Sequence, residues 1–464
     1  MEFLRLIVAA VLITASIGCR NNPQISESNN LLPSDSTSLR TELKFEPIKY
    51  IRGAINHNTT DYYVQNGTTK GFHHDILKHY ANSRGHEIEL NIINEDYDTI
   101  TELLINDMCD IVAMNVSPKS IYNPGIFYSD PIIHNDIVIV TPRDNKKSIK
   151  ELIAGKYVSV KRNSTAAEAL YTYRDTCGFY FGVVELPTTV TSEDMFNDVA
   201  NGLFAGTVNY KHKSRTACYR IPTIEIKQVI EERVPICWEF RTENHRDDFN
   251  SWLSDFKKRG NITYLYSYYY RDSGADHIKR YREIYSPNLS EYDDIFKRES
   301  SVLNWDWRLV AAVAFTESQF KDTIESAQGA YGLMQILPVT AEQFGVGDYF
   351  RADSNIYVGV RYLAFLDKFF ARSINNPNER IHFTLAAYNA GFGHIQDAMR
   401  LAKEYGYIDT IWSNNVENFL LIKSQPQFQE SPAVRNGKCD GKQSVDFVRR
   451  VLRSYRSYTQ TKKM

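Results

Sequence analysis

Asp306-Trp307-Arg308-Leu309-Val310-Ala311-Ala312-Val313-Ala314-Phe315-Thr316-Glu317-Ser318 is apolar through its middle and polar at both ends. Asp306 has the chemistry of an N-cap, and Leu309, Ala312, Val313 and Thr316 recur on one face at helical spacing. The run therefore predicts a buried helix that delivers Glu317 at its end. A carboxyl in that position loses solvation, which disfavours its charged form and raises its pKa toward the range a general acid needs at neutral pH.

Two further stretches lie downstream of this helix. Gln328-Gly329-Ala330-Tyr331-Gly332-Leu333-Met334-Gln335 carries two glycines around a polar-to-apolar switch, which predicts a tight hairpin or loop with close backbone approach to a ligand. Pro338 then opens another helical run. Phe383 to Ala390 reads as an apolar helix ending in Tyr388-Asn389 and stopped by Gly391 and Gly393.

In this order and spacing, Glu317-Ser318, Gly332-Leu333-Met334-Gln335 and Ala387-Tyr388-Asn389 resemble the three motifs of the family 1 lytic transglycosylases. The likeness extends over roughly residues 295 to 455 and implies a mainly helical, lysozyme-like domain acting on peptidoglycan glycan strands. Carried over residue by residue, it implies Glu317 as the catalytic acid/base. Ser318, Met334, Gln335, Tyr388 and Asn389 become the groups that shape the cleft and hold the sugar or the glutamate. One carboxylate suffices for such chemistry, because the muramic C6 hydroxyl is an intramolecular nucleophile with high effective molarity. Asp322 and Glu325 read as surface residues, so no second carboxylate stands in motif position. Relatives carry a further tyrosine in a Glu-Thr-x-x-Tyr-Val motif. The corresponding stretch here is Gln443-Ser444-Val445-Asp446-Phe447-Val448, in which Phe447 keeps the ring and loses the hydroxyl.

Upstream the character changes. Ile48 to Ile55 alternates as a strand, Gly71 to Ala81 has helical spacing, Ile88 to Ile93 alternates again, and a helix at about Tyr97 to Asn106 precedes a buried strand at Asp110 to Met114. Strands alternating with helices predict βαβ units and a largely parallel sheet. Gly71-Phe72 with Asp75, Cys109-Asp110-Ile111-Val112-Ala113 and Phe127-Tyr128-Ser129-Asp130-Pro131 resemble the family 3 extracellular solute-binding proteins over roughly residues 45 to 270. That likeness implies an α/β clamshell of two lobes, with a muropeptide or an amino-acid-like ligand between them. A receptor arginine that clamps the ligand carboxylate has no counterpart in Ser117-Pro118-Lys119-Ser120, where Lys119 offers only a point charge. In the second lobe, Ser164 and Thr165 are positioned to cap a helix. The tyrosine-rich stretch from Tyr264 to Tyr270 reads as the start of a linker whose rings pack in an interdomain seam.

The chain start, with Arg5, an apolar run from Leu6 to Ile13 and small residues before Cys19, reads as a secretory signal too short to span a membrane. Ala15-Ser16-Ile17-Gly18-Cys19 resembles a lipoprotein cleavage box, with Ser16 where leucine is commonest, and implies Cys19 as the acylated residue. A lipid there would anchor the chain to the membrane, on the periplasmic face and at the outer membrane. Without it, the chain would be a cleaved secretory protein. Arg20 to about Glu46 is rich in Ser, Asn, Thr and Pro, which predicts a flexible tether.

The expected organisation is therefore a signal over 1–18, a tether over 19–46, a solute-binding-like domain over 47–270, a linker over 271–294 and a catalytic domain over 295–458. A formal charge of -2 supplies no field for a polyanion, so nucleic acid is not an expected partner. No phosphate loop, dinucleotide fingerprint or metal-spaced Cys/His cluster is present, and neither a cofactor nor a metal is expected. Cys177 with Cys218 is a candidate bridge among the five cysteines beyond Cys19. Two other functions fit the same motifs: a lysozyme-like muramidase, or a muropeptide- or peptide-sensing lipoprotein with an inactive second domain.

Overall fold

A computed structural model describes residues 43, 45, 49–93, 102–118, 125–271, 279 and 288–461. The signal segment, Cys19, Lys119, the start of the helix expected at Tyr97 and most of the 271–294 linker lie outside the described residues. The described residues form two compact units, one of Ile48–Leu289 with the chain end from Ser457, the other of Ser290–Arg456 with Leu43 and Phe45.

The first unit is α/β. Its strands are β1 (Tyr50–Asn56), β2 (Tyr63–Gln65), β3 (Thr68–Lys70), β4 (Glu87–Ile93), β5 (Ile111–Val116), β6 (Phe127–Tyr128), β7 (Ile133–Pro142), β8 (Tyr157–Lys161), β9 (Gly182–Leu186), β10 (Gly206–Tyr210) and β11 (Ile224–Phe240). Helices α1 (Phe72–Ser83), α2 (Ile149–Ile153), α3 (Thr165–Thr176), α4 (Ser192–Ala200), α5 (Lys211–Arg220), α6 (Glu243–Lys258) and α7 (Asn261–Tyr270) lie between and after them.

Alternating strands and helices give parallel pairs within each lobe: β1 with β4 and β5, and β8 with β9 and β10. The sheet as a whole is mixed, because β7 and β11 run antiparallel to each other at its centre. Those two strands carry the chain between lobes, and the end of β11 pairs with β5 and β6 of the first. The first lobe packs Phe72, Leu77, Trp238, Phe240 and Phe249 on one sheet face, and the second packs Ile137, Val158, Val160, Leu170 and Phe181. Ser164 caps α3 as expected, accepting from the Ala167 amide.

Two expectations are corrected in this unit. Tyr264 to Tyr270 belongs to helix α7, and Leu265, Tyr269 and Tyr270 sit in the first lobe's own core. Aromatics at helical spacing bury one face, so Tyr269 and Tyr270, with Tyr266 packed beside them, belong to that core, while Tyr264 and Tyr268 on the other face are exposed. Cys177 and Cys218 are both free thiols. Cys177 lies at the end of α3 and Cys218 on α5, and the Cys177 thiol is directed instead at the Phe179 carbonyl.

The second unit is helical: α8 (Asp293–Ser300), α9 (Trp307–Ser318), α10 (Pro338–Gln343), α11 (Ala352–Phe370), α12 (Pro377–Ala390), α13 (Phe392–Glu404), a π turn (Trp412–Val416), α14 (Glu417–Ile422), α15 (Pro426–Gln429) and α16 (Gly441–Thr461) as far as Arg456. Asp306 caps α9 by accepting from the Arg308 amide, and Leu309 to Ala314 are all buried. The end of the expected tether is held here: Tyr407 donates to the Leu43 carbonyl, and the Phe45 ring sits edge-on to Tyr407 and Phe419. Packing of that apolar ring offsets the entropy of ordering the two residues. Among the described residues, no helix is long and apolar enough to cross a membrane.

Candidate active site

Glu317 stands in the last turn of α9, one residue before the buried Ser318. Burial of its carboxyl pushes the pKa up to about 7, and the positive charge of Arg450 on α16 pulls the other way. The chain reverses at once: Gln319 and Phe320 both take left-handed backbone, with φ of 54° and 61°. Non-glycine residues rarely adopt that region. Phe320 offsets the strain by packing against Phe296 and Phe315, at centroid distances of 6.2 and 5.5 Å. The reversal leaves Glu317 at the end of a rigid rod and sends the chain into the hairpin.

That hairpin is closed by bridges of Tyr331 to Glu325 and to Ile336. Its motif loop is held by groups from three helices. From α9, the Ser318 hydroxyl contacts the Leu333 carbonyl at 2.9 Å and the Ala314 carbonyl at 3.0 Å. From α11, Asn355 accepts from the Met334 amide (2.8 Å) and donates to the carbonyls of Tyr331 (2.9 Å) and Tyr349 (3.0 Å). From α12, the Tyr388 hydroxyl donates to the Met334 carbonyl at 2.6 Å. The Gln335 side chain turns back to donate to the carbonyls of Ile324 and Gly332.

The loop's glycine follows from this packing. Gly332 has φ of 78°, and a Cβ there would stand 2.6 Å from Asn355 Nδ2. Gly359 of α11 plays the matching part for Met334, whose sulfur would lie 2.5 Å from a Cβ at that position. Two glycines thus let the Met334 backbone and side chain sit against α11.

The structure therefore brings Glu317, Ser318, Met334, Gln335 and Tyr388 to one place, by different routes. Ser318 and Met334 are buried, at 2% and 0% exposure, and their polar atoms are engaged in holding the loop itself. Tyr388 stands close enough to Glu317 for that carboxylate to raise the phenol pKa, burial being the larger cause. Asn389 is half-buried and its side-chain oxygen accepts from the Ser444 hydroxyl of α16 at 2.9 Å. Phe447 is buried one turn further along α16. Asp322 is half-buried and Glu325 exposed, and Asp322 pairs with Tyr292.

Three contributors are invisible to motif reading. The signal for Asn355 is only a polar residue on the buried face of an otherwise apolar helix, and that for Gly359 only a glycine where helix propensity favours alanine. Arg450 reads as one more charge on a solvated helix face. Its bearing on Glu317 depends on where α16 lies, which no local pattern records.

The family model described as Transglycosylase SLT domain matches residues 294–411, and that of the bacterial extracellular solute-binding proteins, family 3, matches residues 53–272. A membrane-bound lytic murein transglycosylase F of Desulfosudis oleivorans is 27% identical over 412 residues, covering 86% of this chain and 87% of that protein. Its namesake from Pseudomonas fluorescens is 26% identical over 412 residues, covering 86% of this chain and 82% of that protein. Among solved structures, an ancestral arginine-binding protein bound to arginine matches with a TM-score of 0.42 and 20% identity, covering 48% of this chain and 100% of that one.

Proposed function

We propose that this chain, which matches the models of the family 3 solute-binding proteins and of the transglycosylase SLT domain, is a lytic transglycosylase working through Glu317. It is a peptidoglycan-cleaving lyase associated with the cell envelope. The observation that carries the reading is one carboxyl, raised to about 7, at the point where the three motifs converge. Such a group is protonated often enough to act as an acid and deprotonated easily enough to act as a base.

The reaction runs on that one group. The Glu317 acid donates its proton to the oxygen linking muramic C1 to the next glucosamine, the C1–O bond breaks, and its electron pair leaves with that oxygen. Positive charge develops at C1. The Glu317 carboxylate then takes the proton of the muramic C6 hydroxyl, whose oxygen closes on C1 to give a 1,6-anhydro end. Glu317 finishes protonated, and no water is consumed. Ser318, Met334, Gln335 and Tyr388 support this by holding the loop against α9, with Asn389 set by Ser444. Mass analysis of digested murein tests the outcome: anhydro ends are lighter by one water than the reducing ends a muramidase leaves, and reducing ends would overturn the reading.

The α/β unit is the regulatory part of the proposal, taking a muropeptide or amino-acid-like ligand, and Cys19 is the lipid attachment that holds the chain at the outer membrane. The cleavage-box residues over 15–19 support the anchor. A muropeptide should raise the rate of the full chain and leave unchanged a truncated chain beginning at Ser290; equal responses would sink the regulatory claim.

A further inference from the structure

The α/β unit holds a buried charge pair between its own two lobes. Asp61 lies in the turn after β1, in the first lobe, and Lys213 lies in the first turn of α5, after β10, in the second. The Lys213 ammonium stands 3.3 Å from the Asp61 carboxylate, with side-chain exposures of 8% and 0%. The same carboxylate accepts from Asn58 (2.8 Å), Thr60 (3.1 Å), Tyr270 (3.3 Å) and Asn115 (3.5 Å). Those four belong to the first lobe or its helix α7, so Lys213 is the second lobe's contribution to the shell.

Neighbouring residues repeat the pattern of lobe meeting lobe. His212 sets its ring edge-on to Tyr270 at 4.5 Å, and Thr59 donates to Glu193 of α4 at 3.4 Å. His73 of α1 is locked as a neutral ring, accepting from Trp238 at 2.9 Å and donating to Asn115 at 3.0 Å, so it adds no competing charge. Among the described residues, neither ring nitrogen of His212 has a hydrogen-bond partner, and burial drives its pKa down to about 3, so the ring faces Asp61 uncharged.

A pair of this kind acts through geometry more than through net strength. Desolvating two charges offsets much of their attraction, but a single one left in the closed site would be strongly unfavourable. The ion pair therefore forms only when both lobes present their halves together, and it specifies the closed arrangement against others. Opening the lobes returns both groups to water.

We propose that Asp61 and Lys213 form a latch that holds the two lobes of the α/β unit closed on each other. Closure is then a property of the chain, and any solute admitted to this cleft must first break the pair. The latch belongs to the α/β unit alone and is independent of the catalytic reading.

The test is an inter-lobe distance in the full chain. Nitroxides coupled to p-acetylphenylalanine at the exposed positions Asn82 and Thr172 report one lobe each and leave the native cysteines untouched. Pulsed dipolar spectroscopy without added solute should give one narrow distance when Asp61 and Lys213 are intact. Lys213→Met and the isosteric Asp61→Asn should each lengthen the mean by several ångström and broaden it. The double substitution should open the lobes no further than either single one. A broad distance with the pair intact, or an unchanged narrow one in both folded variants, overturns the latch.

Discussion

The Tyr388 hydroxyl donates a 2.6 Å hydrogen bond to the backbone carbonyl of Met334, so two motifs separated by 54 residues meet through a single proton. Met334 is fully buried, and its carbonyl has no access to water as a substitute. Tyr388→Phe should cost about 1–3 kcal/mol, the penalty of a buried acceptor left without a donor. It should also lower turnover by roughly tenfold for each 1.4 kcal/mol of lost positioning. Urea denaturation and release of soluble muropeptides measure the two effects, and a variant unchanged in both would show the bond to be incidental.

Glu317→Gln should abolish murein release while making the protein more stable at alkaline pH. The folded carboxyl has a pKa of about 7 against an ordinary value of 4.5, so the folded state binds the proton more tightly. Its contribution is fully present below pH 4.5 and is lost as pH rises through 7. The amide does not titrate. Its advantage over glutamate should grow across that window, to about 2 kcal/mol at most, since partial exposure reduces the full value of about 1.4 kcal/mol per unit. Melting curves at pH 4, 6 and 8 decide this; parallel curves would mean that Glu317 is not desolvated.

Activity should fall as pH rises through about 7, where Glu317 loses the proton that its proposed role as acid requires. Arg450 lowers that pKa, so Arg450→Met should move the alkaline limb of the rate profile to higher pH. The same limb in both proteins would remove Arg450 from the site.

Asn355→Ala strips the Met334 amide and the carbonyls of Tyr331 and Tyr349 of one partner each. A loss of about 2–4 kcal/mol is expected, together with low activity, because the Met334 amide and the Tyr349 carbonyl lose the Asn355 partner at once, while the Tyr331 carbonyl keeps the Ile336 amide. Gly332→Ala should be nearly as harmful, from its φ of 78° and from the clash with Asn355. Should Gly332→Ala recover stability in an Asn355→Ala background, the clash is the dominant cost.

Much of the site is legible in the sequence. The apolar run before Glu317, the glycines of the 328–335 loop and the helix stop at Gly391 each follow from local chemistry, and their order carries the family resemblance. The work of each residue is not legible there. Ser318 and Gln335 read as groups for the substrate, whereas their bonds run to the carbonyls of Leu333, Ile324 and Gly332. Tyr266, Tyr269 and Tyr270 read as a seam because spacing shows that a face is buried and not what covers it.

The sequence by itself determined the main helices, the two-part α/β and helical architecture and which carboxyl is the candidate acid. Periodicity, capping and the loss of solvation at the end of an apolar helix are properties of neighbours along the chain. Only the tertiary structure decided that Asn355 ties three backbone groups together, that Arg450 bears on Glu317 and that Asp61 meets Lys213. Met334 and Asn355 are already 21 positions apart, and the two charge relations join residues far more distant in the chain. Hydrogen bonding and charge act over a few ångström of space, which chain order does not encode.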